Sequence, residues 1–293
     1  MKISRKTIII AASILVVAGI VLAMGHSSKK DKTAETADAS IPTAPPLNVS
    51  IMLDLSDRLI QAGPNDNMPQ WEKDTTLIAY IRDAFINRQV KKKFLSGDNI
   101  RVFCYPNPDI QGISQLQDSL TVDLSVGDGK KIDAIKNNKQ TLLAMQRRWN
   151  KSLAYIYDAA RATKQWDGSD VWGFFERSIK SQCIKKGYRN ILIVLTDGYL
   201  YHTQSWRQTA DGEYTGISQT RIDKQKRVTP INVNLQELDV LFLEVNPNKF
   251  TDFGKIRSLL TEWCTEMGIE HVDVLCTDLP RNNNSALLSF LSF

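Results

Sequence analysis

Apolar positions along the chain fall into two recurring patterns. Short continuous runs of strand length occupy residues 48–55 (NVSIMLDL), 99–105 (NIRVFCY), 190–196 (NILIVLT), 239–245 and 271–276, as strands buried on both faces do. Between them lie stretches with apolar residues at helical spacing. Residues 71–90 carry them at 77, 78, 81 and 85; residues 171–186, 252–268 and 285–293 extend the pattern, the last after Pro280. Residues 130–163 predict a long helix broken near Asn137 and Asn138, and residues 120–126 (LTVDLSV) alternate as an edge strand does. Strands alternating with helices predict an α/β fold, doubly wound, with a mainly parallel central sheet and helices on both faces. The run at 190–196 is the strongest and is expected at the sheet centre. Two inserts interrupt the alternation, one near 106–130, rich in Pro, Asn and Gln at its start, and one at 199–234, where Asp211-Gly212 signals a hairpin turn.

The first 46 residues follow neither pattern. Residues 7–24 (TIIIAASILVVAGIVLAM) hold no charge over eighteen positions, enough helix to nearly span a bilayer core of about 30 Å. They predict a signal anchor or transmembrane helix within residues 1–25. A cleaved signal peptide, releasing a secreted protein, is the alternative. Residues 26–46 (HSSKKDKTAETADASIPTAPP) have almost no large apolar side chain and read as a flexible linker, leaving 47–293 as the folded domain. Lys2, Arg5 and Lys6 before the run are matched by Lys29, Lys30 and Lys32 after it, so flanking charge does not fix orientation. The short leading tail predicts an exported, extracytoplasmic domain, periplasmic or at the cell surface.

Composition changes this picture in one respect. The net charge is +5 from 37 basic and 32 acidic residues, yet six of the basic and one of the acidic lie in the first 32 positions. The body is therefore balanced, and nucleic-acid binding loses its main electrostatic argument. Cys104, Cys183, Cys264 and Cys276 form no CxxC pair and fall in apolar runs, so buried free thiols are expected. His26, His202 and His271 are too scattered for a zinc site.

In a doubly wound sheet, ligands bind beyond the carboxyl ends of the strands. Asp54 leaves the first strand with Ser56 two residues on, Asp197 ends the strongest strand, and Gly168-Ser169-Asp170 precedes a helix. If the strand order reverses between those two strands, both carboxylates share one crevice. Two adjacent anions need a cation or a proton between them. Mg²⁺, which takes carboxylate, hydroxyl and water oxygens, suits such a set. Each acid taken singly also reads as an ordinary turn or cap residue.

The segments Asp54-Leu55-Ser56-Asp57-Arg58, Gly168-Ser169-Asp170-Val171-Trp172 and Ile193-Val194-Leu195-Thr196-Asp197-Gly198 resemble the three metal-site segments of von Willebrand factor type A (vWA) domains. The resemblance covers about residues 47–280 and implies a vWA-like, Rossmann-type fold with a degenerate metal-ion-dependent adhesion site. It implies Asp54, Ser56, Ser169 and Asp197 as metal ligands for Mg²⁺ or Mn²⁺. Arg58 stands where the family has a second ligating Ser, and a guanidinium cannot ligate a cation. Arg58 either turns outward, leaving Asp57 or Asp170 to supply an oxygen, or replaces the ion by pairing with Asp54 and Asp197.

The implied activity is protein binding without catalysis, with no small-molecule substrate. Tyr199, Tyr201, His202, Trp206 and Tyr214 follow the Asp197 strand and are candidate partner contacts; equally, they are candidates to cover their own sheet. Trp172 is expected to pack inside. Two other readings remain. One is a metal-free structural or assembly component of an envelope complex. The other, a Mg-dependent haloacid dehalogenase-like phosphatase, needs an acid where Ser56 stands. No G-x-S-x-G elbow or G-x-G-x-x-G loop is present.

Overall fold

The computed structural model describes residues 44–60, 67–124, 131–163, 169–210, 212–247 and 249–291. The apolar run at 7–24 lies outside them, as do most of the linker, Gly168 and Asp211. Among the described residues no helix is long and apolar enough to cross a membrane.

Among the described residues six strands form one sheet: β1 (Leu47–Leu53), β2 (Asn99–Cys104), β3 (Thr121–Asp123), β4 (Arg189–Leu195), β5 (Leu238–Val245) and β6 (Val272–Cys276). Their order in space is β3-β2-β1-β4-β5-β6. All neighbours pair in parallel except the short edge strand β3, which runs antiparallel to β2. Chain order therefore moves outward from β1 to β3 and then returns to place β4 against the other side of β1. The central position expected for the 190–196 run is where β4 lies, every residue from Asn190 to Leu195 being buried.

Among the described residues seven helices cover the sheet: α1 (Gln70–Lys91), α2 (Ile113–Ser119), α3 (Lys131–Ala162), α4 (Val171–Arg177), α5 (Ile179–Cys183), α6 (Phe253–Glu266) and α7 (Pro280–Leu291). Alternate strand residues point to opposite faces, so two cores form. Val49, Ile51, Leu53, Ile193 and Leu195 pack against Leu77, Ile81 and Phe85 of α1, Met145, Trp149 and Ile156 of α3, and Leu287 of α7. On the other face, Met52, Leu192, Val194 and Phe242 meet Phe174 and Phe175 of α4, Ile179 of α5, and Leu260 and Trp263 of α6. This is an α/β fold with a mostly parallel six-stranded sheet and helices on both faces. Residues 44–293 form one compact unit, and among the described residues both cores draw on positions from Leu47 onward.

Five local expectations need correction. The break expected near Asn137 and Asn138 does not occur, because α3 is continuous over 32 residues. Asn138 instead turns into the core and donates Nδ2 to the Phe94 carbonyl (2.8 Å), satisfying a residue held at φ +64°. The helix expected over 171–186 is divided into α4 and α5 at Ser178. The loop after β2 contains α2, and the last helix begins at Pro280 itself, where a proline loses no helical hydrogen bond. The hairpin in the 199–234 insert is reduced to isolated bridges, Gln208 with Tyr214 and Tyr214 with Val228. That insert is nonetheless packed, for Leu200, Ile217, Ile222 and Val228 belong to the second core.

The thiols follow the expectation from sequence. Cys104, Cys183 and Cys264 are free and buried, Cys276 is free and half-buried, and burial pushes the Cys104 thiol up to about 12.

Candidate functional site

The carboxyl ends of β1 and β4 bring two sequence-predicted acids side by side. In the parallel register Leu53 stands opposite Leu195. The pairing continues one step further, with the Asp54 amide donating to the Leu195 carbonyl (3.0 Å). Thr196 Oγ1 then donates to Asp54 Oδ2 (2.9 Å) and itself accepts from the Gly198 amide (3.2 Å). Each acid turns its own loop in the same way: Asp54 Oδ1 accepts the Ser56 amide and Asp197 Oδ1 the Tyr199 amide, both at 2.9 Å. These two-residue side-chain turns end the strands and hold the carboxylates at the rim. Gly198 makes the exit from β4 feasible. Its φ is +93°, and a Cβ there would come within 2.9 Å of Val245 and 2.8 Å of Ile256.

The proximity has an electrostatic consequence. Asp197 is pushed up to about 7, first by burial and then by the charge of Asp54. Asp54 is fully buried, while Asp197 and Ser56 are partly exposed and Asp57 lies on the surface.

Arg58 neither turns outward nor bridges the two acids. It sits in a single 3₁₀ turn, Asp57–Ile60, whose inward positions are Arg58 and Leu59, and its side chain is 1% exposed. The guanidinium makes two bonds to Asp74 of α1, Nη2 to Oδ2 at 2.7 Å and Nη1 to Oδ1 at 3.3 Å. Its remaining donors reach the Asp54 carbonyl (3.1 Å) and the Leu195 carbonyl (2.8 Å), with Nε 3.7 Å from Asp54 Oδ2. Burial disfavours this charge, yet Asp74 and then Asp54 outweigh it and hold the guanidinium above its ordinary value. Asp74 also accepts from Tyr157 of α3 (3.1 Å) and from Gln70 (3.4 Å).

The network extends to the end of β5. Between the Phe242–Val274 and Val245–Cys276 pairs the register shifts, and within that bulge Glu244 takes φ +64°. The bulge re-aims a fully buried carboxylate towards α1. There Glu244 Oε2 accepts from Gln70 (2.8 Å) and Thr277 (2.6 Å), and Lys73 donates to Thr277 (3.0 Å). Burial raises the Glu244 carboxyl above its usual range. None of Asp74, Gln70, Lys73, Tyr157, Glu244 or Thr277 stood out in the sequence as a site residue.

The Ser169-Asp170 segment lies at the same rim. Arg177 pairs with Asp170 and donates to the Tyr105 hydroxyl just beyond β2 (3.2 Å), and Ser205 of the insert after β4 donates to Asp170. Asp170 also caps α4 by accepting the Gly173 amide (3.0 Å), and a Cβ at position 173 would collide with its carboxylate. Both of its oxygens are therefore engaged. The adjacent Ser169 Oγ is buried with no hydrogen-bond partner.

Of the aromatic residues after β4, Tyr201 is 41% exposed, Trp206, Tyr199 and Tyr214 are half-buried, and His202 is buried with its ring accepting the Gln204 amide (3.4 Å). Trp206 stacks on Tyr214 at 5.3 Å, and Tyr201 tilts against Trp206 at 5.6 Å. Arg221 lies over both Trp206 and Tyr214 and donates to the Tyr214 hydroxyl (3.0 Å). Trp172 packs inside, as expected, with Nε1 on the Thr229 carbonyl (3.0 Å).

Among the described residues no group of three or more His, Cys, Asp or Glu side chains could hold a metal ion. A cation at this rim would therefore rely on two carboxylates with serine hydroxyls. The donor chemistry fits a hard divalent ion on two counts: Asp54 and Asp197 are mutually unfavourable neighbours, and Ser169 Oγ lacks a partner. Arg58, bonded mainly to Asp74, still keeps its Nε 3.7 Å from Asp54 Oδ2.

No family model matches the chain, and no curated protein matches it. The sheet and its helices are compatible with the vWA-like resemblance. Among solved structures, the pilus adhesin SpaC from Lactobacillus rhamnosus GG, in an open conformation, is similar over 84% of this chain, at 10% identity and a TM-score of 0.40. The present chain spans 30% of that adhesin's length.

Proposed function

We propose that this chain is a membrane-anchored, extracytoplasmic recognition module that binds a protein partner through a divalent cation, Mg²⁺ or Mn²⁺, at its carboxyl rim. The observation that carries this reading is the convergence of Asp54 and Asp197 at the exits of β1 and β4, where the strand order reverses. Asp54, Ser56, Ser169 and Asp197 would hold the ion. A hard divalent cation in that position supplies a centre for a partner's carboxylate oxygen. The chain's own groups prepare the notch: Thr196 orients Asp54, the two side-chain turns fix both acids, and Asp74 draws the outer nitrogens of Arg58 towards α1, leaving only its Nε near the Asp54 carboxylate. Tyr201, Trp206 and Tyr214 follow directly from Asp197 and would flank the partner.

The reading is binding without turnover; the haloacid dehalogenase-like alternative is disfavoured because Ser56 stands where that chemistry needs a general acid. Residues 7–24 would anchor the module and the linker would let it reach its partner.

Isothermal titration of residues 45–293 with Mg²⁺ and with Mn²⁺ tests the proposal. One saturable site is expected, abolished by Asp54→Ala and by Asp197→Ala. Absence of binding with either ion would favour a metal-free assembly component instead.

A further inference from the structure

Helix α3 carries a stripe of basic and apolar side chains that the recognition rim does not use. Seven basic and two acidic residues lie on this one helix, whereas the body as a whole is balanced. Its inner face, with Met145, Trp149 and Ile156, belongs to the first core. Its outer face shows Ile132, Lys136, Leu143, Arg147, Lys151 and Tyr155, all exposed and separated by helical steps of three, four or their sums. At about 1.5 Å per residue the stripe is about 35 Å long. Ile132 is 77% exposed, Leu143 50% and Tyr155 48%, which makes them three of the most exposed large apolar residues described.

Asp133 and Asp158 are also exposed on this side of the helix, so its charge is basic on balance and not wholly basic. Among the described residues no carboxylate lies within ion-pair distance of Lys136, Arg147 or Lys151, and Asp158 is taken by Arg161.

We propose that the outer face of α3 is a membrane-contact surface that lies against anionic phospholipid headgroups. Basic side chains interleaved with exposed aliphatic residues and a tyrosine are what an interfacial helix presents, the cations meeting phosphate and the apolar groups entering the headgroup boundary. A polynucleotide would satisfy the charges but leave Ile132 and Leu143 against a polyanion. The experiment below does not depend on the cation site.

The test is co-sedimentation of residues 45–293 with vesicles of phosphatidylcholine alone and of phosphatidylcholine mixed with phosphatidylglycerol. Binding is expected only to the mixed vesicles and is expected to weaken as salt rises. Each basic residue at such a surface strengthens binding roughly fivefold. The triple variant Lys136→Glu, Arg147→Glu, Lys151→Glu should therefore bind at least about 100-fold more weakly with an unchanged melting profile, all three positions being exposed. Leu143→Ser should weaken binding while leaving its salt dependence intact. Binding by the wild type that ignores phosphatidylglycerol, or that survives the charge reversals, would overturn the proposal. So would tighter binding to duplex DNA or to polyglutamate than to the mixed vesicles, which would identify a polyanion as the ligand.

Discussion

Replacing Asp74 by alanine is expected to destabilise the domain by about 3–5 kcal/mol, the cost of stranding one partner of a buried ion pair. For a domain of this size that lowers the melting temperature by about 10 °C. Arg58 is 1% exposed and Asp74 is fully buried, so neither can turn to water when the other is lost. After the substitution the guanidinium keeps only the Asp54 and Leu195 carbonyls and the edge of the Asp54 carboxylate. Arg58→Met should also destabilise, since Asp74 then retains only Tyr157 and Gln70. The double variant Arg58→Met, Asp74→Leu should recover much of the loss, because an apolar pair of similar volume carries no desolvation penalty. Urea unfolding followed by circular dichroism measures all three. A cost below about 1 kcal/mol for Asp74→Ala, the range of an exposed ion pair, would show that the pair is not the internal support described.

The second large effect couples pH to cation binding. Asp197 is raised from 3.8 to about 7, so between those values the native state holds a proton that the unfolded state has released. The contribution of this group to stability is therefore fully present below about 4 and is lost as pH rises through about 7. A divalent ion would take the place of that proton. Its effect on the melting temperature should be small on the acid side of 7 and large on the alkaline side. Asp197→Asn should flatten the loss without cation and remove the gain with it. Thermal unfolding across this range, with and without Mg²⁺, reads both effects; a cation-induced shift that does not grow with pH would contradict the assignment of Asp197 to the ion.

Much of the sheet was legible because a parallel strand buried on both faces leaves few alternatives. The run from Asn190 to Leu195 has nearly no polar member, and it became the strand between β1 and β5. The acids at the strand exits were legible for a related reason, since a charge that ends an apolar run marks where the chain leaves the core. Their meeting depended on strand order, which periodicity does not encode.

The support beneath the site was harder to read. Asp74 lies one turn before Leu77 and Ile78 on the apolar stripe of α1, and Glu244 interrupts the apolar run of β5. Each looks like a local flaw in a pattern. Only tertiary contact shows that one neutralises Arg58 and that the other is turned inward by a bulge to bind Gln70 and Thr277. A charge on an otherwise apolar face was the available signal, and three of them, Lys73, Asp74 and Glu244, belong to one network. Asn138 misled in the opposite direction. An Asn pair reads as a helix breaker, yet here one side chain leaves the helix backbone alone and satisfies the carbonyl of Phe94. The hairpin expected after β4 depended on the Asp211-Gly212 turn signal, whereas the insert is held by Leu200, Ile217, Ile222 and Val228 in the core, contacts with no periodicity of their own.

The most direct examination of the recognition notch is crystallography of residues 45–293 soaked in Mn²⁺, located by its anomalous scattering. The account predicts one strong peak between Asp54 and Asp197, within bonding reach of the Ser56 and Ser169 hydroxyls, with Arg58 still turned towards Asp74. A map with no peak there, or with manganese bound only elsewhere on the surface, would contradict it.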